Sequence, residues 1–343
     1  MSDVQIENKK DKNQKDETTS ANREDVVVKG YVLPGLPHLL LTPEANPGWL
    51  KIRNAFDEVK KDIESSEADV LVLYSTYWPS IIGHQIQARP EPEWVHVDDQ
   101  FHALGSIPYK FKMDVDFAKA LNESCKNRGL TSRLIDYHGF PIDTGSVVVL
   151  KLINPNNRLP VVIVSSNIYS DRAETVVYGK AVRDALEKTG KKAAVVSITS
   201  LSNRLHTEHV APKDDHIHSK KDQEWNLKFL EFLGEGRLED VSQLSRQFHK
   251  EARIPKVTSF KPFWWLSAVM GQNNLYTGKI YEYQPVCGTG AAVVGLTPAN
   301  KAARDLEFDE DDLDSYKGER NVLGSNSDMQ SNSEPNPFSG ADV

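Results

Sequence analysis

Apolar positions along the chain fall into two alternating patterns. Short, nearly continuous apolar runs are separated by longer stretches whose apolar residues recur every three or four positions. Val26 to Leu33 reads as a strand. Trp49 to Ser65 follows as a helix, with Ile52, Phe56, Val59 and Ile63 on one face. Ala68 to Tyr74 (ADVLVLY) is the kind of strand that is covered on both faces. Met113 to Arg128 predicts a helix and Ser132 to Tyr137 a strand. Pro160 to Ser165 (PVVIVS) predicts another buried strand, followed by a helix that Asp171 and Glu174 cap at its first turn. Lys192 to Thr199 is a further strand. Asp222 to Leu233, Leu238 to Ala252 and Phe263 to Met270 read as helices, and strands near Lys279 to Tyr283 and Ala291 to Leu296 close the body. Alternation of this kind predicts an α/β single-domain sandwich, a mostly parallel or mixed central sheet flanked by helices.

Both ends break the pattern. Residues 1–25 carry almost no large apolar side chains and are expected to form a disordered arm. Six of the eight residues from Glu307 to Asp314 are acidic, and a Ser/Asn/Pro/Gly tail follows to Val343. The folded domain is therefore expected over 26–300, with an acidic disordered tail over 301–343.

Composition narrows the classes. A chain of 343 residues with 39% apolar content can bury one large core. No run approaches the roughly 18 apolar residues of a membrane span, and the polar N-terminus has no secretory character. Two cysteines, Cys125 and Cys287, cannot make a disulfide framework and suit a reducing cytoplasm. A net charge of -8 argues against nucleic acid as the main partner.

Generic catalytic motifs are missing. GYVLPGLPH has glycines in the wrong places for a phosphate loop, and there is no GxSxG elbow or HExxH helix. Cys287 in PVCGTG has no CxxC partner and no base beside it in sequence, so it reads as a small packed thiol. His206, His209, His216 and His218 lie within thirteen residues beside Glu208, Asp214 and Asp215. Those are metal-ligand types, yet their proline-containing, charged segment reads as a mobile surface loop without the supporting bonds that orient ligands. His38 follows the first strand, and Tyr77 and Trp78 follow the second. Both turns belong at the C-terminal edge of a parallel sheet, as a ligand site or as a packed turn.

At these turns a resemblance enters. LPGLPH (33–38), DVLVLYSTYW (69–78), VHVDDQF (95–101), GFPIDTG (139–145), PVVIVSSNIY (160–169), VSITSLSN (196–203) and EYQPVCGTGAAVV (282–294) together resemble the class III extradiol ring-cleaving dioxygenases. Within them, the order of YSTxW, VHVD and GFPIDTG is most similar to the non-catalytic α-type subunit of the 2-aminophenol-cleaving enzymes. The resemblance implies an Fe(II) site of two histidines and a glutamate, with a third histidine as acid/base. The first metal histidine falls on Gly35, the second on Tyr77 and the glutamate on Glu251; the acid/base histidine falls on Asn203. Glycine cannot coordinate, a phenol of pKa about 10 suits ferrous iron poorly, and an amide cannot shuttle a proton. The metal positions Gly35, Tyr77 and Glu251 are thus vestigial, and so is the pocket around His38, Trp78 and Asp143.

Such a chain is expected to hold no cofactor itself. The resemblance implies a catalytic β subunit bearing Fe(II), in a hetero-oligomer of α2β2 type. Phe263, Trp264, Trp265, Trp78 and Trp94 are candidate interface anchors, with helix-core packing the competing reading for Trp264 and Trp265. Two further readings stay open: an active enzyme with a relocated site, drawing on His38, Tyr77, His84, Glu251 or Cys287, and a stand-alone binding module.

Overall fold

A computed structural model describes residues 25–242, 244, 260–271 and 274–299. The expected arm before Asp25, the expected acidic tail and Glu251 lie outside them. The strands are β1 (Val27–Leu33), β2 (Val70–Ser80), β3 (His84–Gln87), β4 (Glu93–Val97), β5 (Ser106–Lys110), β6 (Ser132–Ile135), β7 (Val161–Asn167), β8 (Ala193–Ile198), β9 (Tyr276–Val286) and β10 (Thr289–Pro298). The helices are α1 (His38–Leu41), α2 (Pro47–Ser65), α3 (Val115–Asn127), α4 (Thr144–Ile153), α5 (Arg172–Thr189), α6 (Lys220–Gly234) and α7 (Lys261–Met270). Residues 238–242 are also helical.

Eight strands form one mixed sheet in the order β6-β3-β7-β2-β8-β1-β10-β9, and β4 pairs with β5 in a separate ribbon. The centre is parallel: β7 with β2, β2 with β8, and β8 with β1. Strand β10 pairs antiparallel with β1 and with β9, its hairpin partner, which forms one edge of the sheet.

Period-two alternation divides the core between the two sheet faces. Val70, Val72 and Tyr74 of β2 pack with Phe117, Tyr178 and Trp265 on one side. Leu71 and Leu73 pack with Ile52, Phe56 and Val147 on the other. Because both faces are covered, the central strands carry no polar face; all seven residues of β7 are buried. The result is a helix–sheet–helix sandwich.

The helix ends follow their capping chemistry. Asn46 Oδ1 accepts from the Gly48 and Trp49 amides at the start of α2, behind a first-position proline. Asp171 accepts from the Glu174 amide at 2.8 Å, and Gly190 (φ +65°) ends α5 in the left-handed region.

Three features differ from the sequence reading. The second strand does not stop at Tyr74 but runs on to Ser80 through a bulge, since Ser75 faces Ser165 while Pro79 faces Ser166. The short strand β3 and the β4–β5 ribbon are too polar or too exposed to stand out by periodicity. Helix α4 comes from TGSVVVLKLI, whose β-branched run has no helical pattern. Asp143 caps it, and all of it except Lys151 is fully buried, so packing overrides local preference.

Two of the candidate anchors are also corrected: Phe263 and Trp78 are buried within the chain and not free to dock a partner. Trp265 is buried too, in line with the core-packing reading, and Trp94 is exposed.

Candidate functional site

The C-terminal edges of β1, β2 and β8 lie side by side, which brings Gly35, Tyr77 and Ile198 together. Three residues of the β2 bulge, Thr76 to Trp78, are spliced between neighbours that stay in register with β7. Thr76 anchors the bulge by donating to the Ile198 carbonyl at 2.9 Å. Trp78 packs on Phe140. Tyr77 is left to turn its ring against both Gly35 and Gly145.

The fit there is tight. A Cβ on Gly35 would lie 2.6 Å from Cα of Gly145, 2.8 Å from Cγ2 of Ile198 and 2.8 Å from Cε2 of Tyr77. A Cβ on Gly145 would meet three atoms of the same ring. Glycine is required at 145 because the tyrosine ring fills the space a side chain would need, and at 35 because the Gly145 backbone, Ile198 and that ring together do so.

Burial pushes the Tyr77 phenol above its ordinary range, with Asp98, Asp143 and Cys287 adding to the effect and a hydrogen bond to the Gly35 backbone opposing it. The anionic form that could bind a metal is therefore disfavoured. Asp143 accepts from the Ser75 hydroxyl at 2.6 Å and the Ser146 amide at 2.9 Å, while its buried Oδ2 has no partner among the described residues. Burial raises its pKa against those two bonds. These residues do not fit a ferrous ion: glycine has no donor, the phenol is held neutral, and the space is occupied by the ring.

Two of the sequence motifs meet beside this plug. Thr144 donates to Asp98 Oδ2 at 2.6 Å, and His96 Nε2 sits 2.6 Å from the same hydroxyl. The hydroxyl proton is committed to Asp98, so His96 must donate through Nε2. VHVDDQF and GFPIDTG are thus joined by a structural network. Asn203 is half-buried in the loop after β8.

His38 begins α1 and is 6% exposed. Its ring meets Trp49 and Phe101 edge-on, and Cys287 Sγ lies 3.4 Å from Nε2 although the two residues are 249 positions apart. Burial lowers the His38 pKa to about 4, against the carboxylates of Asp215 and Asp98, and raises that of Cys287 to about 12. The pair is therefore a neutral imidazole and a neutral thiol.

Cys287 and Gly288 form the tip of the β9–β10 hairpin, both with positive φ (+53° and +89°), the geometry of a two-residue primed turn. A carboxylate holds that tip. Asp215, 2% exposed at its side chain, accepts from the Cys287 amide (2.8 Å), the Gly288 amide (3.0 Å), Trp49 Nε1 (2.8 Å) and His206 Nε2 (3.1 Å). The expected mobile loop is therefore pinned at Asp215, a correction with a clear cause: four donors surround one buried carboxylate. No local sequence signal announces the His38–Cys287 contact or the fourfold role of Asp215, because their partners lie on four separate segments.

His206 also lies 4.8 Å from His216 and 6.1 Å from His218, centroid to centroid. Among the described residues, no group of three or more histidines, cysteines or carboxylates is arranged to hold a metal ion. His84, one of the residues named for the alternative relocated site, is buried on Glu174 at 3.0 Å, with its ring tilted 31° to that of Tyr178. No helix among the described residues is long and apolar enough to cross a membrane.

Comparison with known proteins gives consistent matches. Residues 31–295 match the family model described as the catalytic LigB subunit of aromatic ring-opening dioxygenase. The α subunit of 2-aminophenol 1,6-dioxygenase from a Pseudomonas species is 30% identical over 269 residues, covering 78% of this chain and 98% of that one. The β subunit of 2-aminophenol 1,6-dioxygenase from Pseudomonas is 32% identical over 286 residues, covering 78% and 93%. A crystal structure of an uncharacterized protein from Escherichia coli K12 superposes with a TM-score of 0.54 at 13% identity, over 78% of this chain and 99% of that one, a likeness of fold alone.

Proposed function

The chain belongs to the LigB family of class III extradiol, aromatic ring-opening dioxygenases, and on that premise we propose that it is a non-catalytic, α-type subunit of a 2-aminophenol 1,6-dioxygenase-like enzyme. Its partner is a histidine-complete β-type subunit that holds Fe(II) and performs the ring cleavage. The observation that supports this reading is the Tyr77 ring packed against the touching pair Gly35 and Gly145, with positions 35 and 77 the ones on which the resemblance puts the metal histidines. Identities of 30% and 32% to the two subunit types do not separate the roles, so the site residues must.

The role left to such a chain is structural: to bury a face of the catalytic subunit and stabilise it. The exposed apolar side chains of the β4–β5 ribbon, Trp94, Val95 and Val97, offer a surface for that contact. Two free cysteines suit a complex that works in the reducing cytoplasm.

The test is to purify the chain alone and together with a histidine-complete relative, measuring mass and iron. Iron confined to a hetero-oligomer is the expected result. One iron per lone chain, or a relative that never associates, would overturn the proposal.

A further inference from the structure

Beside the plugged metal position lies a cavity of about 450 Å3, between α1, the loop around Phe101 and the loop from Leu205 to Asp215. Trp49, Phe101, Leu104 and Leu205 supply apolar wall, and His38 and Cys287 lie among them. We propose that this cavity binds a small, neutral, ring-bearing molecule carrying one hydrogen-bond donor, and that it does so without a metal. The inference goes beyond the subunit reading and needs neither iron nor a partner.

Size and shape come first. A volume of about 450 Å3 is in the range of small-molecule sites. Trp49 and Phe101 meet the His38 ring at 67° and 78°, with centroids 5.0 and 4.5 Å away. Flat ligand surfaces pack well against ring faces and edges set at such angles.

The polar handle is His38. Its nitrogens lie 3.4 and 3.6 Å from the Cys287 sulfur, a weak hydrogen-bonding partner. Burial keeps the imidazole unprotonated, with a pKa of about 4, so one nitrogen accepts. An N–H or O–H from a ligand would satisfy that acceptor better than a thiol does.

Charge argues for a neutral occupant. Asp215 in the lining already takes four donors, and Glu208 and His209 are exposed at the rim. An anionic ligand would lose its hydration and face the negative charge of Asp215, whose oxygens are already bonded to other donors.

Rigidity completes the case. The strained Cys287–Gly288 tip is held by the Asp215 carboxylate, so this wall is formed before any ligand arrives.

Indole is a suitable probe, being neutral, flat and equipped with one N–H. Calorimetry on the full chain alone should give saturable 1:1 binding, at least tenfold tighter than for indole-3-carboxylate. Bound indole should slow modification of Cys287 by methyl methanethiosulfonate, read peptide by peptide; this readout uses the unaltered chain and so is independent of any variant's folding. Ala45→Trp, at an exposed lining position, should abolish binding, and His38→Phe should weaken it at least tenfold. Absence of saturable binding, no protection of Cys287, equal affinity for the carboxylate, or unchanged binding in Ala45→Trp would each overturn the proposal. None of those results bears on whether the chain pairs with an iron-bearing subunit, because that reading is decided by mass and iron content.

Discussion

The ring of Tyr77 stands where a side chain on Gly35 would have to go: a Cβ there would lie 2.8 Å from Cε2 of the ring. The same ring excludes a side chain at Gly145, whose backbone itself abuts Gly35. One aromatic and two glycines, from three separate segments, form a single packed unit.

That unit predicts an inverted double-mutant cycle. Gly145→Ala in an ordinary helix would stabilise by about 0.5–1 kcal/mol. Here it should destabilise by about 1–3 kcal/mol through overpacking. In a Tyr77→Ala background, where the three nearest obstructing atoms are gone, the same change should be neutral or stabilising. Urea denaturation of the four proteins measures the coupling, and additive effects would mean the ring is not the obstacle.

Asp215→Ala removes the acceptor of Trp49 Nε1 and of two backbone amides. A loss of roughly 2–4 kcal/mol is expected, since buried donors left without partners carry the desolvation penalty. Equilibrium unfolding followed by tryptophan fluorescence would report it. Stability within 0.5 kcal/mol of the parent would show that water replaces the carboxylate.

His38 gives a pH signature of defined sign. Its folded-state pKa of about 4 lies below the ordinary 6.5, so the unfolded chain binds the extra proton. The associated stability is complete above about pH 6.5 and is lost as pH falls toward 4, on the order of 3 kcal/mol in total. Stability curves of the parent and His38→Gln should therefore converge through that window. Parallel curves would place the imidazole in water.

At the hairpin tip the two positive-φ positions respond oppositely. Gly288→Ala (φ +89°, with the Arg204 carbonyl 3.0 Å from the new Cβ) should cost about 1–3 kcal/mol. Cys287→Gly relieves a strained residue at φ +53° and should cost less than Cys287→Val, which a β-branched side chain strains further. Thermal unfolding of the three variants checks the order.

The tryptophans separate stability from association. Trp265 is fully buried, so Trp265→Ala should destabilise the lone chain by about 3–5 kcal/mol. Trp94, 55% exposed, should alter stability by no more than about 0.5 kcal/mol when changed to alanine. If the β4–β5 ribbon docks the partner, that second change should weaken co-purification at least tenfold. Unchanged association would move the interface elsewhere.

Much of this protein was determined by the sequence itself. Strands such as Val161 to Asn167 and helices such as α5 declare themselves, because burial on two faces demands continuous apolar residues and capping demands Asp171. That positions 35, 77 and 203 carry glycine, tyrosine and asparagine is equally a matter of residue identity, and no fold can give a glycine a side-chain donor atom. What only the tertiary structure decided is which residues meet. The packing of Tyr77 against two glycines, the His38–Cys287 contact and the gathering of four donors on Asp215 each join segments far apart in the chain. Local pattern reports which side of a strand or helix is apolar, but the distance between two such elements is set by how the layers pack. For the same reason α4 forms against its β-branched run and Trp265 is core rather than interface: the surrounding layers bury them, and burial outweighs local preference.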